Sequence, residues 1–302
     1  MPSRGSSGPK RTASQPPSRL VGFAVGLVVA LVAGFLVGRA VGPVGTTSAA
    51  GMPMGGAPTD AHGHSHGGTT VSTSTDVGGL AVAAGGYTLS ADTAPFVAGT
   101  PKTFRYRVYG QNRAPVTTFA VAHDKLMHLV VVRRDLTGYQ HLHPTMGQDG
   151  TWSVDLRLPE PGVWRAYADF AAVGTAGTTA VTLGVDLTAA GAYQPKALPE
   201  PDRSSTVDGM TVTFEGTPAI GTAQALVFRV PAQVERYLGA YGHLVVLREG
   251  DLGYVHVHPE DQLLGGAVKF WLAAPSAGRY RMFFDFQVAG KVHTAEYTLV
   301  VR

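Results

Sequence analysis

His128-Leu-Val-Val-Val-Arg-Arg-Asp-Leu-Thr-Gly-Tyr-Gln-His-Leu-His-Pro144 has a second copy later in the chain. That copy reads His243-Leu-Val-Val-Leu-Arg-Glu-Gly-Asp-Leu-Gly-Tyr-Val-His-Val-His-Pro259. Aligned without gaps, 10 of the 17 positions are identical. The likeness extends both ways. Downstream, Pro161–Phe170 (PGVWRAYADF) aligns with Ala277–Phe286 (AGRYRMFFDF); upstream, Gly99–Val108 and Gly221–Val230 both open with Gly-Thr and close with Arg-Val. An internal repeat means one structural unit written twice. It sets a first module at 78–190 and a second at 205–302. Between them lies a linker, 191–204, with the Pro-rich run Pro195-Lys-Ala-Leu-Pro-Glu-Pro201.

Each module reads as short strands broken by turn residues. In the first, the apolar runs predict strands at Tyr87–Ser90, Thr103–Tyr109, Met127–Arg134, Tyr139–His143, Thr151–Leu158, Val163–Phe170 and Thr178–Leu187. Asp135–Gly138, Gln148–Gly150 and Pro159–Gly162 supply turns. About seven short strands in about 100 residues is the pattern of an immunoglobulin-like sandwich. Leu129–Val132 and Leu244–Leu247 are apolar on both faces and are expected in the centre of a sheet. The expected fold is therefore all-β: two tandem immunoglobulin-like β-sandwich modules preceded by one N-terminal transmembrane helix.

Strand geometry also groups the histidines. Residues i and i+2 share a face, so His141 and His143 project together, as do His256 and His258. If the hairpin loop holds an even number of residues, His128 joins the first pair and His243 the second. Cross-strand side chains lie ~4.5–5.5 Å apart at Cβ, so three imidazoles can converge on one ion. Three His with an open position suit Zn²⁺ or Cu²⁺. The first copy also has His123 and Met146 nearby, where the second has Leu238 and Asp261. If both copies bind, the first site should be softer and more copper-like, and the second harder. His293 has no counterpart in the first copy. The competing reading is a set of structural histidines. Asp169 and Asp285, at matching places, could orient metal-bound His or simply accept hydrogen bonds. Tyr139 and Tyr254 share the faces of the HxH pairs. The repeated Arg133 and Arg248, and Arg165 and Arg281, read as salt links between neighbouring strands, with an anion or carboxylate ligand as the alternative.

The chain has 302 residues, no Cys, 44% hydrophobic and 15% charged residues. Without Cys, it has no disulfide, no Cys-ligated zinc, iron–sulfur or blue-copper site, and no thiol nucleophile. Residues 1–42 hold Arg4, Lys10, Arg11, Arg19 and Arg39 and no acid. The remaining 19 bases and 21 acids nearly balance, so no nucleic-acid partner is implied. GxSxG, HExxH, P-loop and dinucleotide fingerprints are missing, and a non-enzymatic role is expected.

The N-terminus indicates export. Residues 1–19 have the composition of a disordered cytoplasmic segment. Leu20–Gly38 is a charge-free apolar run long enough for the ~30 Å hydrocarbon core, and 20–42 reads as a signal anchor. A signal peptide cleaved after Thr47-Ser48-Ala49 or Ser48-Ala49-Ala50 is the alternative and would give a secreted protein. Residues 43–77 form a flexible linker with Met52, Met54, His62, His64 and His66, an expected loading tract for metal and otherwise a plain polar linker.

The stretches MHLVVVRRDLTGYQHLHP, GHLVVLREGDLGYVHVHPE and AGKVHTAEYTL resemble a family of exported or membrane-anchored proteins of high-GC Gram-positive bacteria. These are largely uncharacterised and are described as secreted or heavy-metal-associated. The resemblance spans residues 80–302. It implies the duplicated motif His123, His128, His141 and His143, then His243, His256, His258 and His293, all present here. The architecture is also loosely similar to periplasmic copper-resistance β-sandwiches. The sequence thus leads to a membrane-anchored extracytoplasmic binder of copper or zinc for sequestration or hand-off, with a metal-trafficking or envelope protein as partner. The alternative is an envelope interaction or adhesion module with structural histidines.

Overall fold

The computed structural model describes residues 77–174 and 177–302, except for the side chain of His258. These residues belong to one compact unit, Thr69–Arg302. The expected disordered segment, the helix at 20–42 and the tract with Met52, Met54, His62, His64 and His66 lie outside the described residues. Among the described residues every regular element is a strand, and no helix is long and apolar enough to cross a membrane.

In the first module two sheets enclose a core. One has the order Ala83–Ala84, Tyr87–Ala91, Pro101–Tyr109, Thr151–Arg157, Thr145–Met146. The other has Phe96–Val97, Gly177–Ala190, Gly162–Gly174, His128–Arg133, Gln140–Leu142, with Phe119–Ala120 also on Gly162–Gly174. The chain moves from sheet to sheet in the immunoglobulin order, and Phe96–Val97 joins Gly177–Ala190 in parallel. In the second module, Ser204–Val207, Met210–Glu215, Gln224–Arg229 and Val268–Ala274 form one sheet. Ala219–Ile220 and His258–Pro259 add to its last strand. The other sheet runs Tyr254–Val255, His243–Arg248, Gly278–Val288, Lys291–Val301.

Period-two burial builds these cores. Phe104, Tyr106 and Val108 point inward from one strand onto Trp152, Trp164 and Leu156. In the second module, Val268, Phe270 and Leu272 meet Phe284, Tyr297 and Phe228. Gly138 shows why its hairpin needs glycine. Its φ is +69°, and a Cβ there would come within 2.5 Å of the Trp164 ring.

The two-faced apolar strands have a cause that differs from simple centrality. Leu129 and Val131 enter the first core, and Leu244 and Val246 the second. Their neighbours Val130, Val132, Val245 and Leu247 form a third core with Leu136, Tyr167, Leu252, Tyr254 and Phe283. The two hairpin-bearing sheets therefore pack against each other, and the modules share a seam. Tyr139 stacks on Phe283 at 4.2 Å between centroids, and the Tyr167 hydroxyl donates to the Leu252 carbonyl at 2.6 Å. The linker is fixed in place too. The Lys196 N–H donates to Asp135, and Arg279 donates to the Leu198 and Pro199 carbonyls.

Candidate metal centre

The hairpin from His128 to His143 has the even register. Leu129 pairs with Leu142 and Val130 with His141, which puts His128 opposite His143. His128, His141 and His143 then share one face, and their donor nitrogens all lie within 4.8 Å of one another. Ring centroids are 5.2 Å apart for His128 and His141, 5.1 Å for His128 and His143, and 4.8 Å for His141 and His143.

Hydrogen bonds fix which nitrogens face the centre. The His128 Nε2–H donates to the Ala122 carbonyl at 2.9 Å, since a carbonyl only accepts. His128 Nδ1 then carries a lone pair and lies 3.0 Å from His141 Nε2. On the far side, His141 Nδ1 lies 3.0 Å from the Asp285 carboxylate and donates to it. With both rings neutral, these two nitrogens turn lone pairs towards each other, and a shared proton or a metal cation would fill the position between them. Buried His143 Nε2 has no hydrogen-bond partner. An orphaned buried acceptor carries a cost that a ligand removes.

Electrostatics keep His128 and His143 neutral at physiological pH. Burial pushes His128 down to about 4 and His143 to about 3, and the neighbouring imidazoles add to both shifts. His243 is pushed to about 3 for the same reasons. Neutral imidazole is the ligating form.

The first module's set draws on the second module as well. His243 of the second module lies against the first module's set, with its ring 5.1 Å from His123, 5.7 Å from His141 and 6.1 Å from His128. Asp285, also of the second module, is the partner of His141 and of the Tyr139 hydroxyl, at 2.8 Å. The seam core positions both contributions. Strand pairing places His243 beside Asp285, one strand over.

The other expected residues fall as follows. His123 is exposed at the margin of the cluster, in the left-handed region at φ +49°. Met146 packs on the first core. Asp169 accepts from Thr182 at 2.7 Å. Tyr254 packs on Tyr167, and burial raises its hydroxyl, with the Asp169 charge adding to the shift. His256 follows the strand Tyr254–Val255, near enough to His123 to oppose a second positive charge there. His258 pairs with Trp271 in the opposite sheet. His293 is engaged elsewhere: it lies 2.7 Å from Asp208 and stacks on Phe286. Arg165 pairs with Asp186 and Arg281 with Glu296, as links between adjacent strands.

Single-module reasoning missed Asp285 and His243 as parts of the first module's site. The usable signal was the apolar outer face of each hairpin. In a two-sheet sandwich the outer face of a strand is normally polar, so Val130, Val132, Val245 and Leu247 called for a further layer.

The fold and cluster define a two-module immunoglobulin-like β-sandwich protein with a histidine centre at the seam. Residues 81–187 and 205–302 each match the family described as a domain of unknown function, DUF8832, and the chain belongs to that family. No curated protein matches it. Among solved structures it is similar to the Escherichia coli adhesin FdeC, at 14% identity and TM-score 0.24, over 74% of this chain and 66% of that one. It is also similar to invasin, a bacterial integrin-binding protein, at 13% identity and TM-score 0.23, over 70% of this chain and 39% of that one. A Salmonella alpha-2-macroglobulin mutant matches at 12% identity and TM-score 0.25, over 74% of this chain and 15% of that one. The chain spans less than two-thirds of the length of each. At these scores the fold assignment rests on the strand order itself.

Proposed function

We propose that the protein binds a late first-row transition metal, copper or zinc, at the seam through His128, His141 and His143. One observation carries this reading: three imidazoles converge with donors within 4.8 Å, and one of them, His143, has a buried nitrogen without a partner. The nitrogen-only donor set suits Zn²⁺ or Cu²⁺ over softer or harder ions. Asp285 and the Ala122 carbonyl would hold His141 and His128 from behind, as outer partners of ligating histidines do. The role is sequestration or hand-off to a metal-trafficking partner outside the cytoplasm. The apolar segment at 20–42 serves as anchor, and the Met52 to His66 tract as a loading site. Nothing in the cluster requires catalysis.

A second reading has its own support. His128 and His141 already have partners within the protein. Such a chain can be structural, leaving the tandem modules as a non-catalytic interaction surface in the cell envelope.

Metal uptake by residues 69–302 separates the two. The metal reading expects about one tight equivalent of zinc or copper. It expects none after His128, His141 and His143 are changed to Ala together, and a strong loss with His143→Ala alone. No uptake by the unaltered protein, or equal uptake by the folded variants, leaves the interaction reading.

A further inference from the structure

We propose that the centre is shared between the modules: His243 closes the coordination sphere begun by His128, His141 and His143, and the bound ion clasps the seam. This rests on the metal reading above and adds a fourth ligand and a structural consequence.

The geometry supports it in three ways. First, the His243 Nε2–H donates to the Tyr237 carbonyl at 3.1 Å, as His128 does to Ala122, which leaves the His243 Nδ1 lone pair available. Second, the spacing is right. With metal–nitrogen bonds of about 2.0–2.1 Å, rings sharing a tetrahedral ion have centroids ~5 Å apart. The first module's three rings already meet this, at 4.8–5.2 Å. His243 stands at 5.7 Å from His141 and 6.1 Å from His128, just outside that spacing, and joins the set by a side-chain movement towards these two rings. Third, His243 is 7% exposed and sits on a rigid central strand at the seam. Its approach from the opposite module gives the ion a donor that the first module lacks.

The consequence is linkage. An ion held by both modules binds the docked state more tightly than a separated one. It therefore stabilises the seam, and an intact seam in turn tightens metal binding.

The test uses the full chain in mild detergent, with His62, His64 and His66 changed to Ala so that the tract does not compete. Zinc affinity is read by competition with a chromophoric chelator. Seam order is read by amide exchange at Val245 and Leu247. His243→Gln keeps a donor for the Tyr237 carbonyl but has no imidazole nitrogen. It is expected to weaken zinc binding at least tenfold and to abolish the zinc-induced slowing of exchange seen in the parent. His293→Ala, outside the cluster, is expected to change neither. Pulsed EPR on the Cu²⁺-loaded parent counts ligating imidazoles without any variant, and four are expected. Unchanged affinity in His243→Gln, or three imidazoles, overturns the clasp while the metal reading stands. A parent that takes up no metal overturns both.

Discussion

The hairpins that begin at His128 and His243 share a histidine pattern in sequence and the same strand register, yet their surroundings differ. In the first, His141 and Tyr139 reach across the seam to a single carboxylate, Asp285. Asp169, its counterpart in the first module, accepts from the Thr182 hydroxyl beside it. The turn before each hairpin differs in the same sense. His123 at φ +49° is replaced by Leu238 at φ +52°, so the backbone is kept and the imidazole is not. Duplication fixed a scaffold with two related faces, and docking those faces gave one of them the richer set of donors.

That contrast can be broken most forcefully at the seam core. Phe283 is fully buried and stacks on Tyr139 of the other module. Phe283→Ala is expected to cost about 3–5 kcal/mol. Chemical denaturation should show both modules losing stability together. Loss confined to the second module would mean that the seam couples nothing.

A smaller effect is expected at the shared carboxylate. Asp285→Asn leaves His141 and Tyr139 with an impaired acceptor and is expected to cost about 1–3 kcal/mol. Paired with Tyr139→Phe in a double-mutant cycle, it should give a non-zero coupling across the modules. Additive costs would show that the contact contributes nothing to docking.

Acid offers a graded version. His128, His143 and His243 titrate near 6.5 when unfolded and at about 3 to 4 when folded, chiefly because burial disfavours the imidazolium. Between those values the unfolded chain holds more protons. Stability is therefore complete above about pH 6.5 and falls as the pH drops towards 4. Thermal melts across that range should show the decline, and replacing His143 and His243 by Gln should flatten it. A flat profile in the unaltered protein would contradict the burial of these rings.

The smallest effect is expected at the point of difference itself. Leu238 already occupies the equivalent of the His123 position, so His123→Leu should change stability by no more than about 0.5 kcal/mol. A larger loss in a thermal melt would make His123 part of the fold.

Much of this was legible in the sequence because strands impose simple rules. The repeat gave the modules, and turn residues gave the strand breaks. The period of two, with an even loop, put His128 beside His141 and His143. Docking between modules was not legible in the same way, because local spacing carries no information about which surfaces meet. The trace it left, Val130 and Val132 on a face that should be polar, was read as centrality within one sheet. The ungapped repeat also hid a shift in the hairpin loop. Asp135-Leu136 and Asp251-Leu252 do not align by position. Even so, each Asp binds the strand-end arginine of its hairpin, Arg133 or Arg248, and each Leu sits at φ +62° in the seam core. His293 shows the opposite failure: a histidine that looked available is held by Asp208.

The most direct test of the central claim is a crystal structure of residues 69–302 grown with zinc, with data collected on both sides of the zinc absorption edge. The account predicts one strong anomalous peak bonded to His128 Nδ1, His141 Nε2 and His143 Nε2, with Asp285 still behind His141. A fully loaded crystal with no peak at the seam, and the His128–His141 hydrogen bond intact, would contradict it.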